Sequence, residues 1–505
     1  MPIEYTNLEQ TRLEKLQRLQ EQGIEPYPNR VERTHTSQQA IQAFEAAEAK
    51  GEDGVTATLA GRLRSMRPMG KLTFAHIEDV SGRIQLFFRA NDIGATQLDY
   101  FNKQFDLGDF IQASGELFRT RTGEITLRVK DFRMLAKAIT PLPAAKDEVV
   151  EGEVVRHAVL ADSEMRYRQR YADLAVNPEV RKIFRTRAVI VKALREFLDS
   201  HGFLEVETPV LQPLYGGAAA RPFVTYHNQL KQDLFLRISF ELYLKRLLVG
   251  GFERVYEIGR DFRNEGVDRT HNPEFTMLEF YMAYADYEQV MALTEQMVVY
   301  VADQVQGSRT LNYQGNTINL EPPWRRMALK EALIELGGVD LDRYPTAREL
   351  AAAMRERGLQ PDPNATRGKL IESLLGDFVE PKIIQPAFLY DYPRDVSPLA
   401  KSKPGEPGIV ERFEAFVAGF EICNAFTELN DPLDQEARFL EMGRDYAAGD
   451  EERHPMDEDY LQAMRYGMPP NGGFGMGIDR LTMLFTDSAN IREVILYPHL
   501  RSRPE

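Results

Sequence analysis

The stretch RDFRNEGVDRTHNPEFTMLEFY, Arg260–Tyr281, decides how the rest of the chain is interpreted. It holds three arginines, five acidic residues and one histidine. Apolar segments typical of strands flank it, FERVYEI before and FTMLEFYMAY after, so the pattern predicts a β-hairpin with its bend inside the stretch. A surface turn needs only a few polar residues. So many opposite charges at one bend therefore indicate a ligand site as well as a turn.

The second strand of this hairpin has two different faces, because side chains alternate along a strand. Thr276, Leu278 and Phe280 suit a core. At ~3.3 Å per residue, six residues span roughly 20 Å, enough for a nucleotide at one end and a small cationic molecule at the other. On the preceding strand we expect Arg263 and Glu265 to share a face, and an arginine fork suits a phosphate or carboxylate. The other face of the second strand carries a ring, a thioether, a carboxylate and a phenol: Phe275, Met277, Glu279 and Tyr281.

A second hairpin is predicted in ERFEAFVAGFEICNAFTELND, residues 411–431, with a turn at Ala418 and Gly419. This register places Glu414 opposite Cys423 and makes Glu414 and Glu421 diagonal neighbours within reach of one cation. Hard oxygen ligands beside a phosphate substrate favour Mg²⁺. Taken alone, the pair would be interpreted as solvated cross-strand glutamates. Two further polar residues have the wrong parity for this face unless a bulge follows Glu421: Asn424 and Glu428.

The third polar cluster is NGGFGMGIDRLTMLF, residues 471–485. Its four glycines allow a ligand to approach the backbone closely, and Asp479 and Arg480 then open an apolar helix. It is neither a Walker A loop nor a dinucleotide fingerprint, because the glycine spacing differs and no GK[ST] follows. An ATP site in this chain would therefore depend on arginines, a metal ion and an aromatic ring.

Composition excludes several classes of protein. A single cysteine, Cys423, excludes an internal disulfide and a cysteine-cluster zinc site. We find no apolar stretch of about 18 residues and expect no membrane span, and the polar start does not resemble a signal peptide. The net charge of −15 argues against bulk affinity for nucleic acid. Residues 55–140 nevertheless hold 13 Lys and Arg against 9 Asp and Glu, which hints at a docking surface for a polyanion.

The order of periodic segments predicts two main domains. Residues 1–50 are predicted to be helical. About five short alternating segments in 51–142 predict a small closed barrel such as an OB-fold, although another small β-domain would give a similar pattern. Residues 143–176 are interpreted as a linker. An α+β domain with a mainly antiparallel sheet flanked by helices is expected over 177–505, with a charged helical insertion around 327–380.

Three motifs in this order resemble those of the class II aminoacyl-tRNA synthetases: FLEVETPVLQP, RVYEIGRDFRNEG…HNPEFTMLE and GGFGMGIDRLTMLF. The stretches GGAAARPF, ELYLKRLLVGGFERV, YMAYADY, VSPLAK and TELND are similar to the lysine-specific branch of that family, and the resemblance covers nearly the whole chain. It implies ATP-dependent formation of lysyl-adenylate, transfer of lysine to tRNA(Lys), Mg²⁺ as the metal, a homodimer built on the first motif, and a cytoplasmic location.

The resemblance also implies a role for each residue of the site. Arg263 would hold the α-phosphate and the lysine carboxylate, Arg480 the γ-phosphate, and these two would carry catalysis. Phe275 would stack on adenine, while Glu414 and Glu421 would hold Mg²⁺. The remaining nucleotide contacts would be Asn264, Glu265, His271, Asn272 and Gly477.

The same resemblance implies how lysine and the anticodon are bound. The ε-ammonium would meet Glu428 and Tyr281, with Glu279 near it. The α-amino group would be held by Glu241 and the backbone at Gly216, and the carboxylate end by Asn424. In the barrel, one ring would stack on an anticodon base and two polar side chains would contact base edges: Phe74, Gln85 and Glu124.

Three alternatives stay open. An aspartate or asparagine enzyme shares the barrel and the motifs, but its pocket should present cationic or amide groups instead of Glu428, Glu279 and Tyr281. A lysyl ligase that modifies a protein would lack the barrel. A non-catalytic RNA-binding protein would not be expected to keep all the charged residues assigned above.

Overall fold

The structure is a computed structural model that describes residues 4–52, 54–143, 146–150, 153–157, 160, 162–363, 365–445 and 455–502. The chain forms two compact units. Within the described ranges, no helix is both long and apolar enough to cross a lipid bilayer. The first unit consists of Met1–Asp162 with Tyr171–Val176, and the second of Ser163–Arg170 with Asn177–Glu505.

The first unit is built on a closed five-stranded barrel with the strand order β1-β2-β3-β5-β4. Alternate side chains of β1, β2 and β3 are buried, as the sequence predicts, and the OB-fold is confirmed. Two N-terminal helices precede it, and each begins with a capping box, at Thr6 and at Thr36. Its elements are α1 (Asn7–Glu21), α2 (Ser37–Lys50), β1 (Thr56–Met69), β2 (Leu72–Glu78), β3 (Arg83–Arg89), α3 (Ala90–Ile93), α4 (Ala95–Gln104), β4 (Phe110–Arg119), β5 (Ile125–Ala136), β6 (Lys146–Val150) and β7 (Glu153–His157).

The predicted linker 143–176 contains two helices in its second half, α5 (Ser163–Arg168) and α6 (Arg170–Val176). Parts of its first half lie outside the described residues. The second unit includes Ser163–Arg170, which lie before the predicted domain start at Asn177. The domain bounds drawn from the sequence stay a prediction.

The second unit is organised around one large sheet, and in the described part of the chain the sheet has nine strands. Their order is β16-β17-β19-β20-β21-β13-β12-β8, with β18 paired to β19. Only the β12–β8 and β16–β17 pairs are parallel, so the expectation of a mainly antiparallel sheet is confirmed. The strands of the second unit are β8 (Leu204–Glu205), β9 (Leu211–Gln212), β10 (Val224–His227), β11 (Gln232–Leu236), β12 (Arg254–Phe262), β13 (Glu274–Ala283), β14 (Thr310–Tyr313), β15 (Asn316–Asn319), β16 (Arg325–Ala328), β17 (Ala387–Pro393), β18 (Ser402–Lys403), β19 (Glu406–Val417), β20 (Phe420–Thr427) and β21 (Asn471–Gly477). Five of these lie outside the large sheet: β9, β10 and β11 form a separate three-stranded sheet, and β14 pairs with β15.

Helices pack on both faces of this sheet, but on one face they leave room for a site. Leu278 and Phe280 of β13 point into the main core, where the Phe280 ring stacks on Phe474 with centroids 4.6 Å apart. Residues from α7 and α9 fill the same core, which therefore lies on the face covered by these two helices. The helices are α7 (Pro178–Ser200), α8 (Glu241–Val249), α9 (Tyr287–Gln306), α10 (Leu329–Glu335), α11 (Ala347–Glu356), α12 (Arg367–Leu374), α13 (Pro432–Asp445), α14 (Glu458–Arg465), α15 (Ile478–Thr486) and α16 (Ile491–Val494).

The stretch around 327–380 has a core of its own. Helices α10, α11 and α12 bury Leu333, Leu350 and Leu370 in a cluster that also contains Leu389 of β17. The stretch therefore packs on one end of the sheet while carrying its own apolar interior.

Candidate active site

A cavity of about 850 Å³ lies on the sheet face opposite α7 and α9. Two of the predicted site residues, Gly216 and Asn264, do not line it. Gly217 lines the cavity in place of Gly216. The predicted residues that do line it are Glu241, Arg263, Glu265, His271, Asn272, Phe275, Glu279, Tyr281, Glu414, Glu421, Asn424, Glu428, Gly477 and Arg480.

The alternation predicted for β13 is confirmed: Phe275, Met277, Glu279 and Tyr281 line the cavity, while Leu278 and Phe280 face the core. The expectation that Arg263 and Glu265 share a strand face is wrong, because β12 ends at Phe262. Arg263 lies in the connection, where its backbone N–H donates to Pro273 O at 2.9 Å. Its guanidinium carbon lies 5.1 Å from the centroid of the Phe275 ring.

The hairpin of β19 and β20 contains a bulge after Glu421, the condition under which Asn424 and Glu428 share a face with Glu421. Phe416 pairs with Glu421, but the next pair joins Ala415 to Cys423, so one residue, Ile422, has no partner. Glu414 consequently lies opposite Asn424, and the expected Glu414–Cys423 pair is wrong by one residue. This shift turns Asn424 and Glu428 toward the cavity on the same side as Glu421.

One end of the cavity is lined by three buried carboxylates, from Glu241, Glu279 and Glu428, which are exposed by 5%, 6% and 1% respectively. The Lys245 ammonium, on α8 one turn after Glu241, forms ion pairs with Glu241 at 2.7 Å and with Glu428. Among the described residues, Glu428 Oε1 has no hydrogen-bond partner. A buried acceptor of this kind is costly unless a donor occupies the cavity.

Glu279 is held by three donors. Its Oε1 accepts from Ser239 Oγ at 2.9 Å and from the Phe240 backbone N–H at 3.3 Å, and its Oε2 accepts from the Tyr281 hydroxyl at 3.2 Å. Burial, together with the negative charges of Asp261 and Glu241, raises the pKa of Glu279 to about 8. The carboxyl therefore prefers to keep its proton until a cation enters the cavity.

The other end of the cavity is lined by groups that suit an anion. Arg480 Nη1 donates to both the backbone oxygen and Oε2 of Glu421 at 3.0 Å, and Arg480 Nη2 lies 3.0 Å from His271 Nε2. The other ring nitrogen of His271 lies 2.8 Å from Asp268 Oδ2. Behind Arg480, Asp479 pairs with Arg187 of α7 at 2.6 Å, which fixes the start of α15.

Glu414 and Glu421 face the cavity close to each other. Glu414 accepts from Arg412 Nη2 at 2.5 Å and from the Tyr392 hydroxyl at 2.8 Å. Burial raises the pKa of Glu414 to about 7, with the neighbouring charge of Glu421 adding to the rise. Among the described residues, no three His, Cys, Asp or Glu side chains form a metal cluster. Two hard carboxylates facing the cavity suit a divalent cation that takes its other ligands from phosphate oxygens.

Glycines border the carboxylate end because side chains pack directly against their backbone. A Cβ at Gly473 would overlap Glu428 Oε1 and lie 2.5 Å from Tyr281 Cε1. A Cβ at Gly217, whose φ is +91°, would lie 2.8 Å from Ser239 Oγ. The glycine run therefore makes room for site side chains as well as for a ligand.

The barrel carries the second set of predicted residues. The Phe74 ring lies 4.8 Å from that of Phe87, centroid to centroid. Gln85 Nε2 donates to Glu124 Oε2 at 2.7 Å, and His76 Nε2 lies 2.8 Å from Glu124 Oε1. An aromatic pair beside polar side chains suits the stacking of a nucleic-acid base.

Residues 162–501 match the family described as tRNA synthetases class II (D, K and N), and residues 57–135 match the OB-fold nucleic acid binding domain. The lysine–tRNA ligase of Roseiflexus castenholzii is 54% identical over 99% of this chain and 100% of the relative. That of Chloroflexus aurantiacus is 52% identical over 100% of both chains. The chain belongs to the lysine–tRNA ligase family. The Moorella thermoacetica ligase, 51% identical over 100% of both chains, is a further relative.

Several residues of this lysine–tRNA ligase site were missed by sequence reasoning. Lys245 follows Glu241 by four residues in a helix, a spacing that could have revealed the ion pair. Arg412 precedes Glu414 by two residues in a strand and so shares its face. Glu372 of α12 also lines the cavity, and no signal in the sequence connects that helix to the sheet.

Proposed function

We propose that this chain activates L-lysine with ATP to give lysyl-adenylate and pyrophosphate, and then transfers the lysyl group to the 3′ end of tRNA(Lys). One observation carries the proposal: a buried cluster of three carboxylates and a pair of arginines line the same cavity. The carboxylates suit the two ammonium groups of lysine. The arginines suit its carboxylate and a triphosphate.

Charge balance supports lysine as the amino acid. Glu241, Glu279 and Glu428 carry three negative charges when ionised, and Lys245 carries one positive charge. The remaining two match the α- and ε-ammonium groups of lysine. Glu428 Oε1 has no hydrogen-bond partner among the described residues and lies at the carboxylate end, so we assign it to the ε-ammonium, with Tyr281 beside it. Glu241 and the backbone at Gly216 and Gly217 would hold the α-amino group, and Asn424 the carboxylate end.

The nucleotide would occupy the arginine end. Arg263 would neutralise the α-phosphate and the lysine carboxylate as a carboxylate oxygen attacks phosphorus and the bond to the β-phosphate breaks. Arg480 would hold the γ-phosphate, and Phe275 would stack on adenine. Positioning and charge stabilisation carry the rate, so no side-chain nucleophile is needed. The remaining nucleotide contacts in the proposal are Asn264, Glu265, His271, Asn272 and Gly477.

Mg²⁺ is part of the proposal. Glu414 and Glu421 would hold it, since two hard carboxylates face the cavity and the pKa of Glu414 is raised by burial and by the charge of Glu421. When bound, the ion would neutralise charge on the phosphate oxygens. Arg412 and Tyr392 keep Glu414 in place through the hydrogen bonds described above.

The proposal includes three further properties: the chain binds tRNA, forms a homodimer and acts in the cytoplasm. Phe74 would stack on an anticodon base, with Gln85 and Glu124 at base edges. An interface through the first motif is supported by the large exposed fractions of its apolar residues, 48% for Leu204 and 47% for Leu211. The free, buried thiol of Cys423 fits a reducing compartment.

The test measures ATP–pyrophosphate exchange with each amino acid in turn, followed by charging of purified tRNA(Lys). We expect the wild type to show exchange with lysine and to charge tRNA(Lys). In Glu428→Gln, exchange with lysine should fall at least 100-fold. Exchange driven by aspartate or asparagine would overturn the lysine assignment. Exchange with lysine but no charging of tRNA would point to a ligase that modifies proteins.

A further inference from the structure

Lys245 is a buried cation directly behind the carboxylates of the lysine end. Its side chain is 0% exposed, and it does not line the cavity. Its ammonium lies 5.8 Å from the centroid of the Tyr460 ring and 5.9 Å from that of Phe426, so aromatic rings enclose it. A buried ammonium persists only when it is paired, and its partners are Glu241 and Glu428.

The ion pair determines which oxygen of Glu428 can bind a ligand. Lys245 takes Oε2, while Oε1 lies over Gly473 beside the Tyr281 ring and, among the described residues, has no hydrogen-bond partner. A carboxylate held at one oxygen cannot swing along the cavity. The depth of the remaining oxygen is therefore fixed relative to the sheet.

The same ammonium limits repulsion within the cluster. Glu241 and Glu428 are both buried, at 5% and 1% exposure, and would repel each other without the cation between them. Removing Lys245 would favour protonation or rotation of one carboxylate. Either change would alter the acceptor offered to a ligand ammonium.

We propose that Lys245 is a positioning residue that sets the length of amino-acid side chain the enzyme accepts, by holding Glu428 so that its free oxygen meets an ammonium at one fixed depth. The inference rests on the proposed function. Ornithine, one methylene shorter than lysine, leaves a gap between its ammonium and the fixed oxygen. A mobile Glu428 could close that gap.

The test compares Lys245→Met with the wild type in ATP–pyrophosphate exchange, using lysine and ornithine. In the variant, we expect the KM for lysine to rise at least 10-fold and the KM for ATP to stay within about 2-fold of the wild-type value. The preference for lysine over ornithine, measured as the ratio of the two kcat/KM values, should fall at least 5-fold. An unchanged preference, or equal rises in the KM values for lysine and ATP, would overturn the proposal.

Two further variants keep the result interpretable. Lys245→Gln retains a donor for Glu428, so the KM for lysine and the preference for lysine over ornithine should change less than in Lys245→Met. If Lys245→Met does not fold, Lys245→Gln provides the test. Lys137→Met is the matched control, because Lys137 is also 0% exposed and paired with two carboxylates, but in the barrel. It should leave both KM values and the preference unchanged.

Absence of lysine-dependent exchange in the wild type would refute the proposed function and not the role of Lys245.

Discussion

Binding and protonation are linked at Glu279. Burial and the charges of Asp261 and Glu241 raise its pKa to about 8, so in the empty cavity it carries a proton at neutral pH. An entering ammonium favours the ionised form, and the proton must then leave. Binding of lysine should therefore release protons.

Affinity for lysine should rise between pH 6 and pH 8, by up to about tenfold per unit, because protons compete with the ligand below the pKa of Glu279. Calorimetry in buffers of different ionisation enthalpy should show proton release at pH 7. Glu279→Gln should bind lysine more weakly and release far fewer protons. Proton uptake by the wild type would contradict the assignment.

Gly473 tests the packing around Glu428. In Gly473→Ala the new methyl group would overlap Glu428 Oε1, so lysine-dependent exchange should fall at least 100-fold. Gly376→Ala, in the same unit but outside the cavity, is the matched control, since the nearest contact of its new methyl group would be Glu380 Oε1 at 4.0 Å. Similar losses in both variants would refute the specific role of Gly473.

Asp261 is a buried carboxylate that the fold does not satisfy well. It is 0% exposed, neither oxygen has a hydrogen-bond partner among the described residues, and its nearest cation is Arg237 at 3.4 Å. Burial raises its pKa to about 7, with Arg237 and Arg263 opposing the rise. The unfolded chain ionises near pH 4, so the folded state loses stability as the pH rises from about 4 to 7.

Asp261→Asn should therefore raise the melting temperature at pH 8 by about 2–4 °C and by less at pH 5. Thermal unfolding at the two pH values checks this. A larger gain at pH 5 than at pH 8 would show that Asp261 is stabilising in its ionised form.

At the scale of the element, α7 orients the arginine end of the cavity. Arg187 donates to Asp479 Oδ1 at 2.6 Å and to Thr276 Oγ1 at 2.9 Å, while the Thr276 N–H donates to Asp479 Oδ2 at 2.7 Å. These bonds join α7, β13 and α15 immediately before Arg480. The helix therefore fixes the direction from which Arg480 enters the cavity.

Arg187→Met should raise the KM for ATP or lower kcat by about 10- to 100-fold, because Arg480 loses the contacts that orient it. The affinity for lysine alone, measured by calorimetry, should change little. The matched control is Lys192→Met on the same helix, whose side chain is 74% exposed and pairs only with Glu196. A loss of lysine affinity equal to the loss for ATP would indicate general disruption of the unit.

At the scale of the whole molecule, the proposal divides activation and anticodon recognition between two units. The barrel segment 55–140 has more basic than acidic residues, although the chain carries −15 overall. That imbalance suits a polyanion at the barrel. In the proposal, every residue that contacts lysine or ATP belongs to the second unit.

Phe74→Ala should lower charging of tRNA(Lys) about 10- to 100-fold, the value of one base–aromatic stack, and leave pyrophosphate exchange unchanged. Phe110→Ala, an exposed phenylalanine elsewhere on the barrel, is the matched control and should not alter charging. Equal effects of the two variants would contradict stacking at Phe74.

The sequence by itself determined the antiparallel strands and the barrel, and all but two of the residues that it assigned to the active site line the cavity. Alternation along a strand is a local property, so Phe275, Glu279 and Tyr281 could be placed on one face without knowing the fold. The bulge after Glu421 was also predictable, because Asn424 and Glu428 otherwise faced the wrong way.

Only the tertiary structure decided how these side chains are held. Lys245 and Glu428 are 183 residues apart, and Gly473 meets Glu428 from a third strand, so no local pattern reveals either contact. Protonation of Glu279 and Asp261 depends on burial and on neighbouring charges contributed by separate segments. The periodicity that predicts strands is short-ranged, whereas burial and ion pairing arise only when distant segments pack together.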